Sequence, residues 1–323
     1  MPAFWARRGE LTSGPCIGPS TGLGNLLEYD RQQIRQAIYL SFIMILLASS
    51  AAAATKFAAG RASTEAIVTV QYLICTLLCL PRLLRLGVSS LRTERLGLHL
   101  VRGVVGVLNF YLFYAALQYI PLVDAMLLRQ SAPLTVPLIA WLWSRETITA
   151  STWPPLLIGF AGIAIILRPS PEGFSLWHAA GFLSALMLAA SMVATNRLGS
   201  TEPAGRVLFY YCTLSLACVA PFSVGAFDAL QPVDWLAMVY VGVAIYATLA
   251  LYTRAYAMAP TSVIAPINYF AVVLAGFWGW LFWDQLPDIW VIAGSVLVIG
   301  GGLLTLRLAG TKARTPEQAS ANK

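Results

Sequence analysis

Apolar runs succeed one another along almost the whole chain, separated by short polar gaps. A helix needs about 20 mostly apolar residues to cross a bilayer. Ten segments of that kind, some of them interrupted, fall near 36–57, 65–81, 98–119, 122–144, 151–168, 177–196, 205–225, 234–257, 261–283 and 288–307. Several gaps open with a breaker, namely Pro121, Pro169 with Pro171, Pro260 and Pro287, as expected between packed antiparallel helices. The pattern predicts an all-α integral membrane protein with ten transmembrane helices. Composition agrees: of 323 residues, 58% are hydrophobic and 11% charged, where a soluble domain carries roughly 25% charged residues.

Charge changes the picture by giving it a direction. Net charge is +7, and the excess lies in short loops and tails, where it reads as topology and lipid attraction. No soluble segment is long enough to build a basic–aromatic groove for nucleic acid. Arg7, Arg8, Arg31 and Arg35 precede the first segment, and Arg82, Arg85, Arg92 and Arg95 follow the second. Only Lys56, Arg61 and Arg168 mark the opposite ends. Both termini are therefore expected in the cytoplasm, in a multi-pass protein of the cell inner membrane, monomeric or homodimeric. Residues 1–33 and 309–323 are expected to be cytoplasmic tails, the first of them mobile. No continuous apolar core gives residues 1–33 the look of a cleaved signal peptide.

The stretch Ile120–Glu146 departs from the others. It has the length of one span yet carries Asp124, Arg129, Pro133 and Pro137. Proline lacks an N–H and clashes with the carbonyl four residues back, so Pro133 frees the carbonyl of Arg129. Charges and free carbonyls within a membrane persist only where protein or a water-filled cavity satisfies them. An internal repeat adds to this. With Pro121 set against Pro260, Trp141-Leu142 meets Trp280-Leu281, Gly162 meets Gly301, and Leu167-Arg168 meets Leu306-Arg307. Residues 34–169 and 170–308 thus read as two halves of five helices, and an odd number per half inverts one against the other. Inverted repeats around a midplane site are a recurring plan of secondary transporters. Pro266 gives the second half an interrupted helix of its own.

At these positions the text resembles a family. KFAAG after the first segment, LHLVRG opening the third, FYAALQYIPLVDA…SAPL…RE around the fourth and LYTRAYAMAPTSVIAPINYF in the second half resemble the EamA-type carriers of the drug/metabolite transporter superfamily. The likeness runs from about residue 36 to 308 and is nearest to the branch of bacterial S-adenosylmethionine-type uptake carriers and their solute-carrier relatives. It implies ten helices in two five-helix repeats and alternating access to a central cavity. Thr76 stands where many members have an Arg, and Asp284-Gln285 replaces the usual pair closing the ninth helix.

Candidate substrate-binding residues are Arg129, with its repeat partner Asn268, together with Asn109, Tyr72, Tyr114, Tyr269 and Arg254. Snorkelling to an interface is the competing reading for Arg129 and Arg254, and Arg102 reads as an interface anchor. Asp124 lies about 140° around the helix from Arg129, so Lys56, at a similar depth, is its expected partner as a gate or helix tie. Pro133, Pro137 and Pro266 are the expected helix breaks. Small residues such as Gly159, Gly162, Gly300 and Gly301 read as packing positions. The excess of cations favours a small-molecule substrate with a carboxylate or amino-acid-like group.

Other functions lack their residues. With two His and five Cys, and no third ligand near Cys75 and Cys79, no metal site is expected, nor any cofactor. No P-loop is present, so ATP hydrolysis is not expected. A membrane-embedded transferase would need a base and a nucleophile with clustered carboxylates or His. A channel or interaction protein is the remaining alternative to a carrier.

Overall fold

The computed structural model describes residues 31–86, 91–144, 153–167, 175–199, 201–227, 230–258, 264 and 267–312. Among them every regular element is helical: α1 (Arg31–Ala59), α2 (Thr64–Leu86), α3 (Leu96–Tyr119), α4 (Leu122–Gln130), α5 (Ala132–Ser144), α6 (Trp153–Leu167), α7 (Leu176–Gly199), α8 (Ala204–Val219), α9 (Pro232–Met258), α10 (Phe270–Trp283) and α11 (Ile289–Lys312). A 3-10 turn, Ala220–Ser223, prolongs α8. Six of these helices, α1, α2, α3, α7, α8 with its turn, and α9, are long and apolar enough to cross a membrane alone. α6, α10 and Ile289–Leu304 of α11 are apolar but shorter. With α4 and α5 counted as one interrupted pass, the ten expected segments are all present as helices.

The segment expected over 122–144 is two helices, and the reason is local. Pro133 cannot donate to the Arg129 carbonyl. The chain tightens at Ser131, whose N–H bonds to Leu128 O at 3.2 Å, and helix resumes with Leu134 N–H on Ser131 O at 2.9 Å. The Ser131 hydroxyl donates to Leu128 O at 2.5 Å, another local alternative to the helical ladder. The break therefore falls at Ser131. Pro133 sits in the first turn of α5, where a missing N–H costs nothing, and α5 runs through Pro137 without ending. In the second half the break falls at Tyr269, in the same repeat register to within one residue. Val272 N–H bonds to Tyr269 O at 3.1 Å there, as Leu134 does to Ser131. Pro266 lies outside the described residues.

α4 occupies the centre. Every residue from Leu122 to Leu128 is buried, so the helix has no face for lipid, unlike a helix with a single apolar stripe. It packs on α7 and α10, with lesser contacts to α1, α3, α6 and α11. The principal contacts come in matched pairs: α1 on α9 with α7 on α3, α2 on α9 with α8 on α3, α1 on α10 with α7 on α4 and α5. Three pairs, α2 with α8, α4 with α10 and α6 with α11, map onto themselves when the halves are exchanged. Apolar side chains such as Leu77, Val104, Val243, Val273 and Val296 form the exposed outer surface.

Glycine lets α6 and α11 meet backbone to backbone. A Cβ on Gly162 would lie 2.7 Å from the Gly294 carbonyl oxygen, and one on Gly301 would lie 2.7 Å from both Gly159 N and Pro155 O. Gly300, expected to serve the same packing, faces open space instead. Gly162→Leu should therefore cost about 1–3 kcal/mol of overpacking and lower the thermal unfolding midpoint in detergent. Gly300→Leu, measured alongside, should leave it unchanged.

Candidate substrate site and the two ends of the bundle

Arg129 is the penultimate residue of α4, two residues before the break at Ser131. Its guanidinium lies over two aromatic rings of α3, 5.1 Å from the centroid of Phe110 and 4.9 Å from that of Phe113. Such cation–π contacts contribute more when desolvated, up to about 2 kcal/mol. The Tyr114, Tyr211 and Tyr72 hydroxyls lie within electrostatic reach of the charge. Arg129 Nε is buried and has no hydrogen-bond partner among the described residues.

Around this cation the aromatic side chains are tied to one another. Tyr72 and Tyr211, on α2 and α8, share a hydroxyl–hydroxyl hydrogen bond of 3.1 Å, with ring centroids 5.7 Å apart and nearly perpendicular. The Tyr114 hydroxyl donates to Gln71 Oε1. Gln71 Nε2 and Asn109 Oδ1 are buried without a partner among the described residues. Buried polar atoms almost always find partners, so this donor and this acceptor leave hydrogen-bonding capacity within α2 and α3.

The structure thus brings together Arg129, Tyr72 and Tyr114, with Asn109 buried on α3 beside Phe110. Asn268 meets the same region through its backbone: Gln130 Nε2 donates to Asn268 O at 2.9 Å, so the two helix breaks touch. Tyr269 is buried with its hydroxyl against Gly302 of α11. Arg254 is exposed on α9 and does not belong to the cluster. Arg102, read from sequence as an interface anchor, is buried: its Nε donates to Thr195 Oγ1 at 2.6 Å, its Nη1 to Val207 O at 2.9 Å, and it lies 4.3 Å over the Tyr211 ring. The neighbouring Gly103 and Gly106 were the available signal, because they let α8 approach closely enough to offer that carbonyl.

At the end of the bundle holding the α1–α2 turn, Lys56 and Asp124 take separate partners. The Lys56 ammonium donates to Leu117 O at 2.8 Å and Ile120 O at 2.7 Å, the free carbonyls at the C-terminus of α3, where a cation is favoured. Asp124 instead faces His178 of α7, Oδ2 to Nε2 at 3.7 Å. Asp124 lies within electrostatic reach of Lys56, but the hydrogen bonds of the ammonium go to α3 and the closest cationic contact of Asp124 is His178. Asp124 and His178 line a cavity of about 230 Å³ with Gln285, Asp288 and apolar side chains. Arg61 and Asp234 pair nearby at 3.4 Å.

The opposite end has its own tie. Thr93 Oγ1 donates to Glu202 Oε1 at 2.6 Å, and Arg206 Nη1 to Glu202 Oε2 at 2.5 Å, joining the α2–α3 and α7–α8 connections. No group of three or more His, Cys, Asp or Glu able to hold a metal occurs among the described residues.

A bundle of apolar helices whose central, interrupted helix is buried from Leu122 to Leu128 and ends on a cation is a multi-pass membrane transporter, as its relatives confirm. The chain belongs to the EamA-like transporter family, matching it twice, over residues 35–168 and 175–307. It is 28% identical over 268 residues to the pseudopaline exporter of Pseudomonas aeruginosa (strain UCBPP-PA14), covering 82% of this chain and 94% of that one. It is 27% identical over 272 residues to a riboflavin transporter of Brucella anthropi, with 81% and 95% covered. To an S-adenosylmethionine uptake transporter of Rickettsia bellii it is 23% identical, with 82% and 91% covered. A crystal structure shares the fold with a TM-score of 0.58 and 22% identity, covering 86% of this chain and 98% of that one. Membership of this family makes the chain a transporter and not an enzyme.

The Glu202 tie makes a pH-dependent prediction. Burial pushes this carboxyl up, but the Thr93 hydroxyl, Arg206 and the nearby His99 outweigh it and hold the group below its ordinary 4.5. A carboxyl held low contributes stability above its unfolded value and loses it as the pH falls through its folded one. Thermal midpoints measured as the pH is lowered from about 5 to about 3 should fall less steeply for Glu202→Gln than for the wild type.

Proposed function

We propose that this protein is a secondary carrier that moves a small polar metabolite, bearing a carboxylate or amino-acid-like group, across the cytoplasmic membrane by alternating access. The observation that carries the reading is Arg129: a cation held between Phe110 and Phe113 on a buried, broken helix, with its Nε unpartnered. A guanidinium presents donors in a planar fork that matches a carboxylate, and such pairs are stronger than neutral hydrogen bonds. Asn109, Gln71, Tyr72 and Tyr114 would bind the remaining polar groups of the substrate, and Asn268 would complete the site from the other half. The two matches to one family and the exchange symmetry of the helix contacts support two five-helix repeats. Five passes per half make them inverted, with both termini cytoplasmic by the distribution of Arg and Lys. In this reading the Thr93–Glu202–Arg206 tie closes the cytoplasmic end, and the Lys56 and Asp124 contacts close the outer one.

Proteoliposomes test it. Counterflow should be saturable for at least one member of a panel of carboxylated amino acids, riboflavin and S-adenosylmethionine, the last two being cargoes for which relatives are named. Passive, non-saturable flux would point to a channel instead. Losing a charge-assisted hydrogen bond costs about 1.5–3 kcal/mol, so Arg129→Ala should reduce transport roughly ten- to a hundredfold while the unfolding midpoint stays near that of the wild type. Unchanged transport in that variant would remove Arg129 from the site.

A further inference from the structure

We propose that Asp124 and His178 form a proton-binding site at the mouth of the outer cavity, and that its occupancy reaches Arg129 through the rigid rod of α4. This rests on the carrier reading above. The site is built from two helices that nothing in the sequence joins: Asp124 on the first turn of α4 and His178 on the first turn of α7. The Asp124 side chain is 10% exposed and the imidazole 14%, and both line the cavity of about 230 Å³. Their separation of 3.7 Å is too long for a hydrogen bond and short enough for an ion pair. Nδ1 of His178 is buried with no partner among the described residues. A neutral imidazole offers one N–H, and a protonated one offers two. A proton from the cavity therefore turns a loose contact into a charged pair that draws Asp124 toward α7.

The charged groups around this pair are few. Lys56 of α1 is the cation within electrostatic reach of Asp124, and its own hydrogen bonds go to the carbonyls of Leu117 and Ile120. Asp288 caps α11, its Oδ1 accepting the Val291 N–H at 2.9 Å. From α3, Tyr119 stacks on Trp177 with centroids 4.0 Å apart. Asp284, in the left-handed region at φ 51°, closes α10 and is exposed. α5, α6 and α10 carry no ionisable side chain, and Cys218 is the one such residue in the last two turns of α8.

α4 supplies the linkage. It has 9 residues, begins after the extended Pro121 (ψ 147°) and ends at Ser131, so it is a short unit bounded by a break at each end. Asp124 and Arg129 ride on it together. Binding a proton at one end alters the position of the substrate cation at the other. Release of that proton on the opposite side follows when the halves rock, giving one proton per cycle.

The chain has two histidines, His99 and His178, so histidine labelled with ¹³C gives two imidazole signals, assigned with His99→Gln. In nanodiscs, changing the pH between about 8 and about 5 should change the His178 signal, and Asp124→Asn should alter that response. A His178 signal that stays fixed across that range overturns the proton site. In proteoliposomes, whichever of riboflavin or S-adenosylmethionine shows counterflow should accumulate at least threefold more under a tenfold proton gradient than at equal pH. For His178→Asn and Asp124→Asn that ratio should fall to one. A ratio that persists in both variants overturns the coupling. Absence of counterflow with every compound would remove the carrier reading, and the NMR titration then decides the proton site by itself.

Discussion

A guanidinium inside an apolar bundle is the constraint around which this structure is arranged. On insertion scales an Arg at the centre of a membrane helix costs about 3 kcal/mol, so a position like that of Arg129 needs compensation from every side. Two ring faces from α3 meet the charge, and tyrosine hydroxyls from α2, α3 and α8 lie within its electrostatic reach. None of these could reach it if α4 lay on the periphery. Burial of the whole Leu122–Leu128 stretch is thus a requirement of the cation as much as a consequence of packing, and the surrounding helices take their places accordingly.

The same economy governs the ends. Lys56 neutralises the carbonyls that α3 leaves open where it stops at Tyr119, and Asp288 neutralises the N–H groups where α11 starts. These contacts satisfy helix termini first and join helices second. Glu202 differs, because it joins Thr93 of the α2–α3 connection to Arg206 in the first turn of α8 through side chains alone. It is the kind of contact that can be made and broken without exposing backbone, whereas the Lys56 bonds cannot be released without leaving two carbonyls bare.

How much of this was legible in the sequence depends on range. Apolar run lengths and prolines are local, and they gave all ten segments and the interrupted fourth one. The exact site of the break was less accessible, because Pro133 acts on a carbonyl four residues back and the chain adjusts at Ser131 between them. Partners across helices were hardest. Asp124 looked towards Lys56 because depth along the axis is readable and azimuth between helices is not, so His178 on α7 went unseen. Arg102 misled for a related reason: its place near a helix start suggested an interface, and only the approach of α8 over Gly103 and Gly106 buries it. Arg254 failed in the opposite sense, since polarity within an apolar run does not tell which way a side chain faces.

The glycine seam between α6 and α11 carries one more consequence. Side chains at most helix contacts interdigitate, so sliding one helix past the other must lift knobs out of holes. At Gly162, Gly294 and Gly301 the backbones themselves approach, flanked by the Ile166 side chain and the Leu297 Cβ, and they bear on each other like the knuckles of a hinge. Small rotations there disturb little, while separation would open a void along the whole line. The seam also borders the polar end, because Ile166, against Gly294, lines the cavity of Asp124 and His178.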